Sequence, residues 1–440
     1  NPSLGNISPR IGISWSPGSS GNTVLRAGFG VYYDHFLEYL AHQLKNTAPF
    51  FNIAVITNFD VSSTFPDAVA VADAAAAEGG LPIQAQVVNY RDTTSPVVLR
   101  YNFDLEQQLP GGWRAGASYV GARGNHLFRT YEANLFPVPE VREDGTLFFP
   151  PDTGPVNPAF QGGIQILASD AQSFYNSLRL SANKSLSQGI SLRASYTFSK
   201  SVDDASFQGG SAASPVQFGL LRTLERGLSN FDIRHRLAIN YFYVLPLGGG
   251  QSWWSSGPLS HVFGGWRVGG ILRLRSGTPF SPRVNIRKTG FLFAANRPNL
   301  LPGRSNNPTE GVTVGCDRGT DQEIKPGLKL GGPDLFFDPC AFAAPPAGTL
   351  GNVGRNTIIS PRVFIADISL QREFSLDAKR RLQFRAEIFN LLNRPNFSRP
   401  DGGSAIVFSG ASARRNSNTG KIVSTVTTAR QIQFALRFSF

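Results

Sequence analysis

The sequence predicts an all-β fold, an antiparallel transmembrane β-barrel of about 11 strands, and three observations carry that prediction. Segments of apolar–polar alternation recur along the whole chain. The links joining them are alternately short and long. The last segment, 431–440, sets Ile432, Phe434, Leu436, Phe438 and Phe440 on one face and Gln431, Gln433, Ala435, Arg437 and Ser439 on the other. Neighbouring side chains of a strand point to opposite sides of the sheet. A period of two with a purely apolar face therefore suits a strand between lipid and a wet interior.

Taken in order, the alternating segments are 9–15, 23–33, 95–109, 113–121, 174–186, 190–199, 235–246, 265–277, 362–376, 381–390 and 431–440. In 95–109, Val97, Leu99, Tyr101, Phe103 and Leu105 oppose Val98, Arg100, Asn102, Asp104 and Glu106. In 190–199, Ile190, Leu192, Ala194, Tyr196 and Phe198 oppose Ser191, Arg193, Ser195, Thr197 and Ser199. Helical periodicity is nearly absent; the Ala-rich run 69–77 is a short candidate inside a link.

A soluble sandwich can also end on an amphipathic strand, and the links separate the two readings. The short ones are 16–22, 110–112, 187–189, 248–264 and 377–380; the long ones are 34–94, 122–173, 200–234, 278–361 and 391–430. Structureless links of that length are uncommon in compact soluble domains. Short periplasmic turns and long extracellular loops are what an outer-membrane barrel has. Strict alternation then fixes direction, and the last strand ends in the periplasm. Trp113 and Trp266 begin strands at the short-turn side, while Tyr32, Tyr33, Tyr119 and Phe198 end strands at the long-loop side, where aromatic girdles are expected.

Composition excludes other classes. Of 440 residues, 41% are hydrophobic and 16% charged, with 46 Gly and 30 Pro, which is too polar for a helical membrane protein. No run approaches the roughly 18 apolar residues of a membrane helix. No export signal stands at the start, and Met is absent throughout, so a processed product or a fragment is expected. The net charge of +12 suggests nucleic acid, but the arginines are spread singly along strands and form no patch with interleaved aromatics. Cys316 and Cys340 fall in one long link, where a disulfide in an oxidising compartment is expected. In strict alternation strands one and eleven run the same way, so antiparallel closure needs an odd number of further strands. Open edges in lipid would cost several kcal/mol for each unpaired backbone group.

Five segments stand out: Ser8-Pro9-Arg10-Ile11-Gly12-Ile13-Ser14-Trp15, then Val24 to Asp34, Tyr196 to Asp204 with its Ser-Lys-Ser-Val-Asp-Asp ending, Phe231-Asp232-Ile233-Arg234-His235-Arg236, and Arg385 to Phe397, Arg-Ala-Glu-Ile-Phe-Asn-Leu-Leu-Asn-Arg-Pro-Asn-Phe. Together they resemble the Oar-like group of TonB-dependent outer-membrane receptors, the last most specifically. The resemblance implies a plugged barrel of about 22 strands, of which this chain would be the C-terminal half. It implies energy-coupled uptake of a scarce ligand, whether siderophore, oligosaccharide or peptide. The partners it implies are outer-membrane lipid, the TonB complex through an N-terminal region that this chain does not contain, and the barrel-assembly machinery through Phe434, Leu436, Phe438 and Phe440. The N-terminal β-sandwich, plug and TonB box would all lie upstream of Asn1. An adhesion or matrix-anchoring barrel without transport is the alternative, and a secreted β enzyme or lectin a third reading.

Alternation puts Arg100, Asp104, Glu106, Arg179, Arg193, Arg267, Arg273, Arg275, Arg385 and Glu387 on the lumen side. The sharp reading makes Arg273 and Arg275 contacts of ligand or plug; the plain one pairs opposite charges across neighbouring strands in a wet interior. Asp203 and Asp204 could bind a cation, but adjacent carboxylates on a Gly/Ser-rich link are more often solvated, and no calcium-loop spacing is present. His35, His42, His126, His235 and His261 form no metal-ligand pair, and no nucleophile or phosphate-loop motif occurs, so no catalytic residue, metal or cofactor is expected. Gly28 and Gly30, mid-strand on the lumen side, are expected to ease curvature or close plug packing.

Overall fold

A computed structural model describes residues 5–34, 67, 70, 84–88, 93–134, 140–143, 145, 147–150, 156–160, 163–187, 189–206, 216–248, 253, 256–285, 296–317, 323–377, 379–400, 402–410 and 412–440. The expected helix at 69–77 lies outside them except for Ala70, as do His35 and His42. Eleven strands form one antiparallel meander: β1 Arg10–Trp15, β2 Thr23–Tyr33, β3 Val97–Leu109, β4 Trp113–Glu132, β5 Gly163–Ser187, β6 Ile190–Asp203, β7 His235–Val244, β8 Trp266–Arg275, β9 Val363–Ser375, β10 Arg381–Phe389 and β11 Gln431–Ser439. Each pairs with its neighbours in chain order, and β1 and β11 are the two edges of the sheet.

Register carries each face without a break from strand to strand. One row runs Leu105, Ala117, Leu180, Tyr196, Leu237, Leu274 and Phe364, all apolar or aromatic. At the far end Phe384 lies opposite Leu436, and Ile388 opposite Ile432. These side chains stand outward unpacked: Leu180 is 44% exposed, Phe434 70% and Leu436 72%. A continuous apolar face of that kind requires lipid against it.

Aromatics mark the lower border of this face. Trp266 packs edge-on against Phe384 with ring centroids 6.1 Å apart. Lys184 lies over Trp113, its ammonium 5.3 Å from the ring centroid. Tyr33, Tyr119 and Phe198 share the apolar face at the other border. Tyr32 does not, and here the girdle expectation is corrected. It has the parity of Gly30, and its ring lies against the guanidinium carbons of Arg10 at 4.6 Å and Arg100 at 5.2 Å on the polar face. Gly30 makes this possible, because a Cβ there would come 2.8 Å from the Tyr32 ring.

Three strands outrun their expected ends. β4 has 20 residues and β5 has 25, about twice a membrane crossing, and β6 continues to Asp203. Beyond Arg123 the apolar period fails, since a ladder standing above the membrane has no lipid face to serve. Backbone pairing nonetheless continues to Glu132 across irregularities between Gly124 and Arg129. Gln84–Val88 adds a parallel strand to this extension.

The long links are folded too. Segments from 278–361 and 391–430 share one core that includes Phe280, Phe337, Phe342, Ile358, Val407 and Phe408, with Phe337, Phe342, Ile358 and Val407 fully buried. Short pairings hold its frame: 279–280 with 358–359, 299–300 with 342–343, and 283–285 with 406–409. Cys316 and Cys340 are joined by a disulfide, with Cα atoms 5.6 Å apart, beside Ile324, Leu330 and Leu335.

The two faces predict opposite responses to one charge. In the full-length barrel refolded into vesicles, Leu180→Arg should lower unfolding free energy by about 2–4 kcal/mol, and Ser181→Arg on the polar face by under about 1 kcal/mol. Equal losses in urea titration would refute the assignment of faces.

Candidate functional site: a basic inner wall beneath a locked loop layer

The sequence-predicted wall residues share one face. Register aligns Arg26, Asp104, Ser118, Arg179, Thr197, Arg236 and Arg275 in a single row across β2 to β8. The next row holds Glu106, Ser181, Ser195 and Arg273. Arg193 follows, opposite Asn183 and Asn240. Arg267 lies across from Gln371, which in turn faces Arg385, with Glu387 one row on.

Charge pairing divides this wall into two regions. Glu106 accepts from Arg26 at 3.2 Å and from Arg114 at 3.0 Å, tying β2, β3 and β4 together. Arg385 lies 3.5 Å from Glu387 on the same strand, and Arg381 is 3.3 Å from Glu373. Between these ends the expected cross-strand pairs do not form. Among the described residues, no carboxylate lies within 4.0 Å of Arg179, Arg193, Arg236, Arg273 or Arg275. The reason is compositional: in register these arginines lie opposite Ser, Thr, Asn, Ala, Ile, Val or another Arg, and never opposite an acid. A trough of about 680 Å³ lies there, lined by Arg114, Arg179, Asn183, Arg193, Ser195 and Asn240 among others. Such a wall can hold an anion by charge and guanidinium hydrogen bonds.

Above the barrel the charges behave differently. Glu225 is fully buried, accepts from Arg297 at 3.0 Å and takes the Gln217 amide at 2.8 Å. Arg297 also donates to the carbonyls of Val353 and Leu224. Arg355 joins the Asp203 carboxylate, the Glu225 carbonyl and the Ser206 hydroxyl. Asp203 and Asp204 are therefore not solvated, as their loop setting had suggested; both are buried, and Asp204 pairs with Arg222 at 3.1 Å. Sequence reasoning missed Glu225, Arg297 and Arg355. Each has its partner dozens of residues away in the chain, where no local pattern can pair them.

Burial pushes the Asp204 carboxyl above its ordinary range, and does the same to Asp232, whose oxygen receives the Ser201 amide. For Asp170 burial acts upward too, but two hydrogen bonds from Arg129, at 2.6 and 2.8 Å, outweigh it and hold the group below its ordinary value. His235 meets the Tyr196 hydroxyl at 2.8 Å through Nδ1. Gly28 leaves room for the Asn102 carboxamide, which a Cβ would approach to 2.6 Å.

The profile of the family described as outer membrane beta barrel domain matches residues 1–433. Among solved structures, similar ones include the outer membrane transporter YddB from Escherichia coli, 11% identical over 99% of this chain and 40% of that one, with a TM-score of 0.47. The FrpB iron transporter from Neisseria meningitidis is 11% identical over 98% of this chain and 39% of that one, at TM-score 0.39. The ferripyoverdine receptor of the outer membrane of Pseudomonas aeruginosa is 9% identical over 98% and 33%, at 0.40. The chain thus spans two fifths or less of the length of each of these three. A comparison with curated proteins found no match.

Two predictions concern the loop layer. Glu225→Gln leaves Arg297 buried against a neutral partner and should destabilise the layer by about 3 kcal/mol or more, read as faster amide exchange at 217–225 and 296–297. Asp170 has a folded-state pKa below its unfolded value. Its pairing therefore contributes stability above the ordinary carboxylate range and loses it as pH falls through the lowered value. Asp204 and Asp232, being raised, work in the opposite sense, so Asp170→Asn should flatten the loss of protease resistance from neutral pH to about pH 3. An unchanged acid profile in that variant would show that the pair contributes nothing.

Proposed function

The chain belongs to the outer membrane beta barrel domain family and lies in the Gram-negative outer membrane, and from that premise we propose that it forms the C-terminal part of a TonB-dependent receptor barrel. In this reading it mediates energy-coupled uptake of a scarce ligand, a siderophore, oligosaccharide or peptide. The single observation that carries the reading is the inner wall: a charged, trough-bearing face runs down the sheet below a loop layer locked by buried ion pairs. A barrel serving only as an anchor has no need of a basic path from mouth to periplasm.

Further strands from an upstream region close the sheet between β1 and β11, since each edge otherwise leaves a line of unpaired backbone groups in lipid. A plug and a TonB-contacting segment belong to that same region and supply the coupling. The barrel-assembly machinery engages the terminal strand through Phe434, Leu436, Phe438 and Phe440, which stand fully outward. Arg179, Arg193, Arg273 and Arg275 meet ligand or plug within the lumen. The resemblance of Arg385 to Phe397 and of the N-terminal segments to Oar-like receptors supports this reading.

The test uses the full-length protein in its own cells. Deleting the gene, or the TonB complex, should abolish growth on one limiting siderophore, oligosaccharide or peptide while leaving growth on free iron or simple sugars intact. Arg179→Glu combined with Arg193→Glu should cut uptake by about ten-fold or more at unchanged surface display, because two charge reversals turn a wall that attracts anions into one that repels them. Lost attachment to surfaces with uptake intact in every condition would instead establish the adhesion role.

A further inference from the structure

At its upper border the outward face carries a cluster of cations with no ion-pair partner among the described residues. Above the apolar belt on β3 to β6, register aligns Tyr101, Gly121, Asn176 and Lys200, and beyond them Leu99, Arg123, Phe174 and Val202. The Tyr101 and Tyr119 hydroxyls both donate to the Asn176 side-chain oxygen, at 3.4 and 2.7 Å, so a polar line crosses the sheet here. Leu228 extends the outer row beside Val202, and Arg226 follows it. The guanidiniums of Arg123 and Arg226 lie 5.2 and 5.3 Å from the Phe174 ring centroid. Lys200 sits opposite Asn176 and diagonal to Phe174 on the same face.

All three cations are exposed, and among the described residues none has a carboxylate within 4.0 Å. The neighbouring acids are already engaged: Asp170 by Arg129, Asp204 by Arg222, and Asp232, whose charge also acts on Lys200, by Arg234 and the Ser201 amide. Depth follows from counting along the strands. Arg123 stands ten residues beyond Trp113, and Lys200 ten beyond Ile190, each at the start of its strand. A tilted strand crosses the hydrocarbon in roughly 9–11 residues, which puts both cations at the level of the outer-leaflet headgroups. They face lipid, away from the lumen, so the transport path has no use for them.

We propose that Arg123, Lys200 and Arg226 form a binding site on the outer wall for the phosphate groups of a bisphosphorylated glycolipid of the outer leaflet. A guanidinium stacked on an aromatic ring keeps its N–H edge free, and that edge matches two phosphate oxygens; the lysine adds a mobile point charge. Immediately below, Phe103, Tyr119, Leu178 and Phe198 form the apolar surface against which the acyl chains lie. A free phosphate ion would meet the same cations but gain nothing from that surface, so the lipid is the occupant.

The experiment purifies the full-length barrel in mild detergent and measures binding by native mass spectrometry. The probes are bisphosphorylated lipid A, its dephosphorylated form and inorganic phosphate. The expected result is retention of about one bisphosphorylated lipid at this wall, and about a hundred-fold weaker binding in the Arg123→Gln, Lys200→Gln, Arg226→Gln triple variant. Arg179→Gln, on the inner face, should leave lipid binding unchanged. If the triple variant fails to insert, single Lys200→Gln and Arg226→Gln variants should each weaken binding by about five-fold. The proposal is overturned if the variants bind as tightly as the parent, if dephosphorylated lipid binds equally well, or if inorganic phosphate alone saturates the site at the same concentration.

Discussion

Hydrocarbon offers no hydrogen-bond partner, so every backbone amide and carbonyl of this sheet must be met by the next strand. That requirement explains the antiparallel pairing of every strand from β1 to β11 with its neighbours in chain order. It also fixes the side chains. Once the backbone is paired, parity alone decides which residues meet lipid and which meet the interior, and a slip of one residue would reverse both faces. Leu180 and Arg179 are adjacent in sequence yet serve different solvents for this reason.

Charge is handled in three ways in the one molecule. Inside the loop layer, ions are buried and fully paired, as with Glu225 and Arg297 or Asp203 and Arg355, because an unpaired buried charge costs several kcal/mol. On the inner wall of β5 to β8, arginines stand without acids, which a hydrated interior tolerates. On the outward face, cations collect at the borders, where aromatic rings take them: Lys184 over Trp113, Arg372 over Phe374, and Arg123 and Arg226 against Phe174. The same residue type is thus a lock, a wall or an anchor according to the dielectric around it.

The layer above the barrel has its own cohesion. Its aromatic core, the Cys316–Cys340 disulfide and the ion pairs to Asp203 and Glu225 join three separate links that the membrane does not constrain. The strand extensions of β4 and β5 continue into this region as a paired ladder. A fixed mouth follows from that, built on contacts between residues more than a hundred positions apart, such as Arg355 and the carbonyl of Glu225.

The sequence by itself determined the fold class, all eleven strands and the face of most of their residues, because period-two patterning is local and lipid enforces it. Arg179, Arg193, Arg273 and Arg275 could be placed on the inner wall from alternation alone. Register then decided which of them lack acids, and sequence spacing cannot express register between distant strands. Tyr32 was misplaced in the girdle because parity outranks its position near a strand end. The loop core, the Glu225–Arg297 and Asp203–Arg355 pairs, and the meeting of Arg123, Phe174 and Arg226 belong to the tertiary structure. Each depends on chain closure over long separations, where burial and charge pairing select partners that no local pattern records.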